Sequence, residues 1–184
     1  MLNDTHRKQL LQLASNSIDY GLQQGKALPV KLDDYDLILQ QPAACFVTLH
    51  MNDQLRGCIG SLEAQQPLVK DVSDNAYAAA FRDPRFPPLQ AHEKTSLKLS
   101  ISVLTPSTPI SFISEEDLLE KIRPEIDGLI LQDGHHRGTF LPSVWEQLPD
   151  KQQFLQHLKL KAGLPVNYWS DSIQISRYQT ESFE

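Results

Sequence analysis

Apolar residues recur at the spacing of an amphipathic helix in the first part of the chain. Residues 5–23 are predicted to form this helix, which Asp4 or Thr5 caps and which Gly25 and Pro29 end. The apolar side chains that fall on one of its faces are Leu11, Ala14, Ile18 and Leu22. This face is expected to lie against the core.

A second helix is predicted to begin at Pro67 and to end before Pro84, because the residue that precedes a proline avoids the helical conformation. Its buried stripe consists of Val69, Val72, Ala76, Ala79 and Ala80. Tyr77 and Phe81 share a face at a spacing of four. Core packing is the default for such a pair, and an aromatic docking patch beside Phe86 is the alternative if both rings are exposed.

Two shorter helices are predicted from their caps. Ser114 caps the first, which stops at Pro124, and Asp150 with Gln153 resembles the capping box of the second, which Gly163 terminates. The apolar residues of these two helices are Leu118, Leu119 and Ile122, and then Phe154, Leu155, Leu158 and Ala162.

Strand signals occur mainly as hairpins. Asn52-Asp53 and Asp133-Gly134 are predicted to be the turns of two hairpins, and residues 97–103 alternate between apolar and polar positions. The predicted strands are residues 46–49, 55–59, 97–103, 129–131, 138–141 and 172–178. Hairpins favour antiparallel pairing, so the predicted class is α+β, with a largely antiparallel sheet and flanking helices.

Composition narrows the classes of function. The chain has 184 residues, of which 17 are basic and 23 acidic, giving a net charge of −6. This balance argues against broad binding to nucleic acid or to a membrane surface, which normally needs a clustered basic excess. Two cysteines without a CxxC pair suit a reducing cytosol and provide no metal framework. Without a signal-peptide pattern or a long apolar run, we expect a cytoplasmic protein that needs no metal or other cofactor.

The candidate chemistry lies in Arg56-Gly57-Cys58-Ile59-Gly60, within a predicted strand. Glycine inside a strand usually marks a bulge or the close approach of another backbone or a ligand. Cys58 is the candidate nucleophile, and Arg56 is a cation two residues away that would share its face and stabilise a thiolate. The alternative is that Cys58 is a small buried apolar residue, as free cysteine commonly is.

The predicted hairpin register bears on this choice. If Asn52 and Asp53 are the two turn residues, Leu49 faces Arg56 and Val47 faces Cys58. Cys45 is then a diagonal neighbour of Cys58 on the same face, a placement that does not suit a disulfide, so both thiols are expected to be free. His50 pairs with Leu55 on the opposite face. A one-residue change in the loop would bring His50 round to the face of Cys58.

Several basic residues form a second constellation: Arg56, Arg82, Arg85, His135, His136 and Arg137. If the fold brings them together, they would make a pocket for a small anionic ligand with a carboxylate or phosphate group. The alternative is a set of solvated or structurally paired residues. His135 and His136 do not suggest a metal site, because adjacent residues of a strand point to opposite faces.

The chain resembles the AMMECR family, whose bacterial and archaeal members are called AmmeMemoRadiSam system protein A. Arg56-Gly57-Cys58-Ile59-Gly60 resembles the family motif. The other blocks that resemble the family are residues 46–49, 83–89, 101–106, 127–131, 140–142, 161–165 and 183–184. The resemblance therefore covers nearly the whole chain in order.

This resemblance implies a single AMMECR-type domain over residues 1–184, with two unequal lobes that form a cleft. We place the seam between the lobes at residues 84–88. It also implies association with a Memo-like protein and a radical S-adenosylmethionine protein. We expect an accessory or binding subunit with its cleft around residues 55–60. The residues expected to bind a ligand or partner are Arg56, Gly57, Cys58, Gly60, Arg85 and Phe86. A cysteine-dependent enzyme using Cys58 is the alternative, and a nucleic-acid accessory protein is the least favoured reading.

Overall fold

The computed structural model describes residues 2–184 and has the predicted α+β class. It divides into two compact units: Met1–Leu104 with Glu181–Glu184, and Thr105–Thr180. The boundary at Leu104 and Thr105 corrects the predicted seam at residues 84–88, which lie inside the first unit. None of the helices within residues 2–184 is long and apolar enough to cross a membrane.

The first unit begins with helix α1 (Asp4–Gln24). The cap is Asn3 and not the predicted Asp4 or Thr5, since the Asn3 side chain accepts a hydrogen bond from the backbone of His6. Gly25 ends the helix in the left-handed conformation, with φ of 67°. The predicted Ala14 and Ile18 are buried, but the predicted Leu11 and Leu22 are only half-buried. The buried stripe consists of His6, Leu10, Leu13, Ala14, Ser17, Ile18 and Gly21.

The sheet of the first unit has the strand order β2-β1-β3-β8, formed by Gln54–Gly60, Cys45–Met51, Leu97–Leu104 and Thr180–Phe183. Strand β1 pairs antiparallel with both β2 and β3. The turn residues Asn52 and Asp53 have φ of 53° and 59°, as a two-residue hairpin with a primed turn requires. Strand β8 was not predicted.

Helix α2 (Leu68–Phe81) begins after Pro67, and all five residues of its predicted stripe are buried. Tyr77 and Phe81 are packed ring to ring, with centroids 5.0 Å apart, and Tyr77 is buried. The pair therefore belongs to the core, and the alternative of an exposed docking patch is wrong. The core of this unit joins the two helices to one face of the sheet: Leu10, Ala14, Ile18, Val47, Leu49, Val72, Ala76 and Ile101.

The second unit has the strand order β4-β7-β5-β6, formed by Thr108–Pro109, Gln174–Tyr178, Gly128–Asp133 and His136–Phe140. Helices α3 (Glu115–Lys121) and α4 (Lys151–Lys161) have the predicted caps Ser114 and Asp150. Trp145 stacks on Phe154 at the centre of the core, with ring centroids 3.7 Å apart. The ammonium of Lys159 is buried there and pairs with Glu115 at 2.7 Å.

Candidate functional site

Strand β2 carries a bulge that moves Cys58 away from its predicted partner. Leu55 lies opposite His50, but Gly57 lies opposite Leu49, so Arg56 is the additional residue on this strand. The predicted pairs of Leu49 with Arg56 and of Val47 with Cys58 are therefore wrong. Beyond the bulge the register is shifted by one residue, and Cys58 lies opposite Thr48.

The shift changes the face on which Cys58 lies. Residues directly opposite each other in a sheet share a face, so Cys58 is on the side of Thr48 and His50, and Cys45 is on the other. Both cysteines are free thiols, as expected, but they are separated by the sheet and are not diagonal neighbours on one face. The bulge brings His50 to the Cys58 face, which is the alternative that a one-residue change predicted.

Gly57 is the point at which strand β2 meets helix α2. A Cβ atom at this position would overlap the backbone carbonyl oxygen of Ala79. Gly57 is not among the glycines with positive φ, so the requirement is one of space. Gly60 is confined in the same way, because a Cβ there would overlap the ring of Phe46 and lie 2.5 Å from the carbonyl oxygen of Cys45.

Arg56 is buried and forms an ion pair. Its Nε and Nη2 donate to the two carboxylate oxygens of Glu93 at 2.8 and 3.1 Å, and Nη2 also donates to the carbonyl of Pro87 at 3.0 Å. Hydrogen bonds from Arg56 lower the pKa of Glu93, which keeps the pair ionised. Nη1 of Arg56 is also buried, and it has no hydrogen-bond partner among residues 2–184. The Nε and Nη2 edge of the guanidinium is therefore fully hydrogen-bonded, whereas the donor Nη1 has no acceptor among residues 2–184.

Asp83 and Arg85 bind the main chain of Cys58. The Asp83 carboxylate accepts the Cys58 N–H at 2.9 Å and also accepts two hydrogen bonds from the Arg85 guanidinium at 2.9 and 2.7 Å. Arg85 Nη2 donates in addition to the Cys58 carbonyl at 3.2 Å. Hydrogen bonding to Arg85 lowers the pKa of the buried Asp83 to about 2, against the effect of burial. The pair therefore acts as a fixed, charged clamp on the outer edge of β2.

The thiol of Cys58 is half-buried and accepts a hydrogen bond from Thr48 Oγ1 at 3.3 Å. Within residues 2–184 no histidine or carboxylate hydrogen-bonds to this sulfur. Cys45 contrasts with it, because burial and the charge of Asp71 raise the pKa of the Cys45 thiol. The Asp71 carboxylate that hydrogen-bonds to the Cys45 thiol therefore disfavours its thiolate, and the Cys58 thiol has Thr48 as its hydrogen-bond partner.

A buried polar cluster behind β1 escaped the sequence analysis. Asp71 accepts hydrogen bonds from the backbone N–H of Cys45, the hydroxyl of Ser61 and the amide of Asn75, at 2.9, 2.6 and 3.0 Å. Asn75 also donates to the carbonyl of Cys45 at 3.2 Å. The available signal was the pair of polar residues at a spacing of four inside an apolar helix, which indicates a satisfied buried network.

The six basic residues of the predicted anion pocket differ in their interaction partners and in their place in the fold. Arg56 and Arg85 are paired with carboxylates, whereas Arg82 is exposed and lies over the ring of Tyr77, 5.1 Å from its centroid. His135, His136 and Arg137 are in the β5–β6 hairpin of the second unit, where His136 Nδ1 lies 3.1 Å from the carbonyl oxygen of Ala162. A pocket that combines all six stays a prediction. No group of three His, Cys, Asp or Glu residues suited to a metal ion occurs within residues 2–184.

The fold and the site define a class of small α+β proteins in which an Arg-Gly-Cys-Ile-Gly strand is fixed by a helix and by the turn that follows it. The AMMECR1 family model matches residues 11–183, and the chain belongs to this family. Protein MJ0810 of Methanocaldococcus jannaschii is 38% identical over 159 residues, which cover 84% of this chain and 79% of that protein. A Thermotoga maritima protein is 34% identical over 181 residues, covering 96% and 95% of the two chains.

A solved structure has the same fold. The crystal structure of the uncharacterised protein PH0010 from Pyrococcus horikoshii superposes with a TM-score of 0.91 at 33% identity, and the match covers 98% of this chain and 92% of that one. Family membership and this structural match therefore establish the architecture of the chain.

The contact at Gly57 predicts a large loss of stability on substitution. In Gly57→Val, the side chain would push β2 away from the Ala79 carbonyl, and we expect a loss of about 3 kcal/mol in the free energy of unfolding. Gln54→Val is the matched control, because Gln54 is exposed on the same strand, and it should change stability by less than about 0.5 kcal/mol. Denaturant unfolding of the two variants measures both values. Equal stability of the two would disprove the close-contact requirement.

The Asp83 clamp predicts a specific acid dependence. The pKa of Asp83 falls from its ordinary 3.8 to about 2 in the folded state, so its stabilisation is complete above pH 3.8 and is lost as the pH falls toward 2. Asp83→Asn should destabilise the protein near neutral pH by about 1–3 kcal/mol and reduce the acid-dependent loss. Asp33→Asn, at an exposed position, makes the same change of charge without the clamp. An unfolding curve whose pH dependence is the same in all three proteins would contradict this assignment.

Proposed function

We propose that this AMMECR1-family protein is a non-catalytic binding subunit that presents residues 55–60 to a protein partner. The observation that carries the proposal is the clamp of Asp83 and Arg85 on the Cys58 main chain. Together with the Arg56–Glu93 pair, it commits the charged groups beside the motif to holding the strand in place. Groups that must accept, donate or stabilise charge during a reaction are not free here.

The kind of partner follows from the aromatic ring beside the motif. Nη1 of Arg56 is buried from solvent, so an oxygen atom of a partner does not reach it directly. The half-buried ring of Phe86 lies 5.9 Å from the Arg56 guanidinium and 5.5 Å from that of Arg85, and it supplies an aromatic contact for a protein surface.

We assign the partner to the modification system that the family resemblance implies, a Memo-like protein together with a radical S-adenosylmethionine protein. In this arrangement the partners supply the chemistry, and the present chain supplies a rigid recognition strand. This division of roles agrees with a motif whose two glycines are required by tight backbone packing.

A cysteine-dependent enzyme using Cys58 is the second candidate, and one observation favours it. The bulge at Arg56 places His50 on the same face of the sheet as Cys58. A histidine that reached the sulfur would serve as a base and raise the thiolate fraction. The hydrogen bond from Thr48 to the sulfur supplies no base.

Alkylation separates these two candidates. If Cys58 is not a nucleophile, iodoacetamide should label it no faster than free cysteine, and the rate should rise with pH from about 6 to about 8 as an ordinary thiol ionises. Cys45 should react more slowly, because it is buried and its pKa is raised. Mass spectrometry of the labelled peptides gives both rates. Fast labelling of Cys58 that is insensitive to pH, and that is slowed in His50→Gln, would establish the enzyme instead.

The partner proposal has its own test. The purified chain is titrated with the Memo-like and radical S-adenosylmethionine proteins of the same organism, singly and together, and the dissociation constant is measured. Phe86→Ala should weaken the complex by about tenfold or more, as expected for an aromatic anchor in an interface. Lys70→Ala, at an exposed position on α2, should leave the affinity unchanged. Failure of the folded wild-type chain to bind either protein would refute the assigned partners.

A further inference from the structure

A pocket lies in the first unit, and none of its residues belongs to the Arg-Gly-Cys-Ile-Gly motif. Asp74, Ala78 and Arg82 follow one another at a spacing of four on and just beyond helix α2, so their side chains lie along one side of it. Lys26 and Ala27, from the loop after α1, line the pocket with them, as do Asn75 and Tyr77. The pocket is open to solvent and has a volume of about 370 Å³. The small Ala78 side chain between the two charged residues leaves this space open.

The loop that carries Lys26 is held against the helix. The hydroxyl of Tyr77 donates to the carbonyl of Gly25 at 2.6 Å, and Gly25 itself is fixed as the left-handed cap of α1. The two helices are also close behind the pocket, because a Cβ atom at Gly21 would lie 2.5 Å from the ring of Phe81. The backbone next to Lys26 is therefore held against helix α2.

The two basic side chains of this pocket, Lys26 and Arg82, are not paired with a carboxylate within the described residues 2–184. Neither Lys26 nor Arg82 has a side-chain ion pair or hydrogen bond with any of residues 2–184, in contrast to Arg56 and Arg85. Arg82 lies with its guanidinium over the ring of Tyr77. Asp74 is the one acidic residue of the lining, and it accepts a hydrogen bond from Gln66 at 3.2 Å.

We propose that this pocket binds a small oxyanion, the phosphate or carboxylate group of a ligand, through Lys26 and Arg82. Arg82 has the planar fork of donors that matches either group, and Lys26 adds a second positive charge. The volume accommodates such a group with a small organic remainder. The sequence predicted an anion pocket formed by Arg56, Arg82, Arg85, His135, His136 and Arg137 if the fold brought them together. Arg56 and Arg85 are paired with carboxylates, whereas Arg82 has no carboxylate partner among residues 2–184. This site does not depend on the partner assigned to residues 55–60.

Chemical-shift titration of backbone amides, with inorganic phosphate and separately with acetate as probes, tests the proposal. We expect saturable shifts at Lys26, Ala27, Ala78 and Arg82. Tighter binding of phosphate would identify a phosphate group, tighter binding of acetate a carboxylate group, and equal binding the shared oxyanion chemistry. The absence of saturable shifts at these amides with both probes would overturn it.

Variants locate the binding at these side chains. Lys26→Gln and Arg82→Gln should each raise the dissociation constant by about tenfold, since each removes a charged contact. Ala78→Leu should abolish binding by filling the pocket with every charge retained, and Asp74→Asn should tighten it by removing a repulsive charge. Lys70→Gln is the control for a change of net charge on the same helix. Equal weakening in Lys70→Gln and Arg82→Gln would refute a specific site, and unchanged binding in Ala78→Leu would refute this pocket.

Discussion

The contact between the backbone of strand β2 and the backbone of helix α2 at Gly57 is the constraint on which the motif depends. A strand can approach a helix this closely only where it lacks a side chain, and the Ala79 carbonyl occupies the place of the missing Cβ. This contact fixes the end of α2 beside β2. The residues that follow the helix can then reach the strand. Asp83 and Arg85 form hydrogen bonds with the main chain of Cys58, and the carbonyl of Pro87 accepts a hydrogen bond from Arg56.

Local features of the sequence predicted much of this fold. The caps Ser114 and Asp150 and the buried stripe of α2 were predicted correctly, because a cap and a periodic face are encoded within a few residues. Strand β8 escaped prediction since its short sequence, Thr-Glu-Ser-Phe, has no apolar run to distinguish it from a loop. The boundary between the two units was predicted at the wrong place because the prolines of residues 84–88 indicate a turn, and a turn can lie within one unit as well as between two.

The site was less accessible to sequence reasoning, for a different reason. A turn fixes a hairpin register only if both strands continue without interruption, and the bulge at Arg56 reversed the face of Cys58. The partners of the arginines were hidden for a similar reason. Glu93 and Asp83 are distant from Arg56 and Cys58 along the chain, and only the packing of the helix on the sheet brings these groups together. The three arginines of the first unit that the sequence singled out therefore differ in environment. Arg56 is buried and paired with a carboxylate, Arg85 is exposed and paired, and Arg82 is exposed and has no carboxylate partner within residues 2–184.

The clamp at Cys58 has a consequence for behaviour in concentrated solution. Strand β2 is an edge strand, and an uncovered edge is a template on which a second chain can add its own strand. The side chains of Asp83 and Arg85 occupy the outward N–H and C=O of Cys58 and block such growth at the middle of the strand. A chain whose turn at residues 83–88 detaches would expose the N–H and C=O of Cys58 at this edge. Intermolecular β-sheets that begin at this edge would then be the expected form of its aggregates.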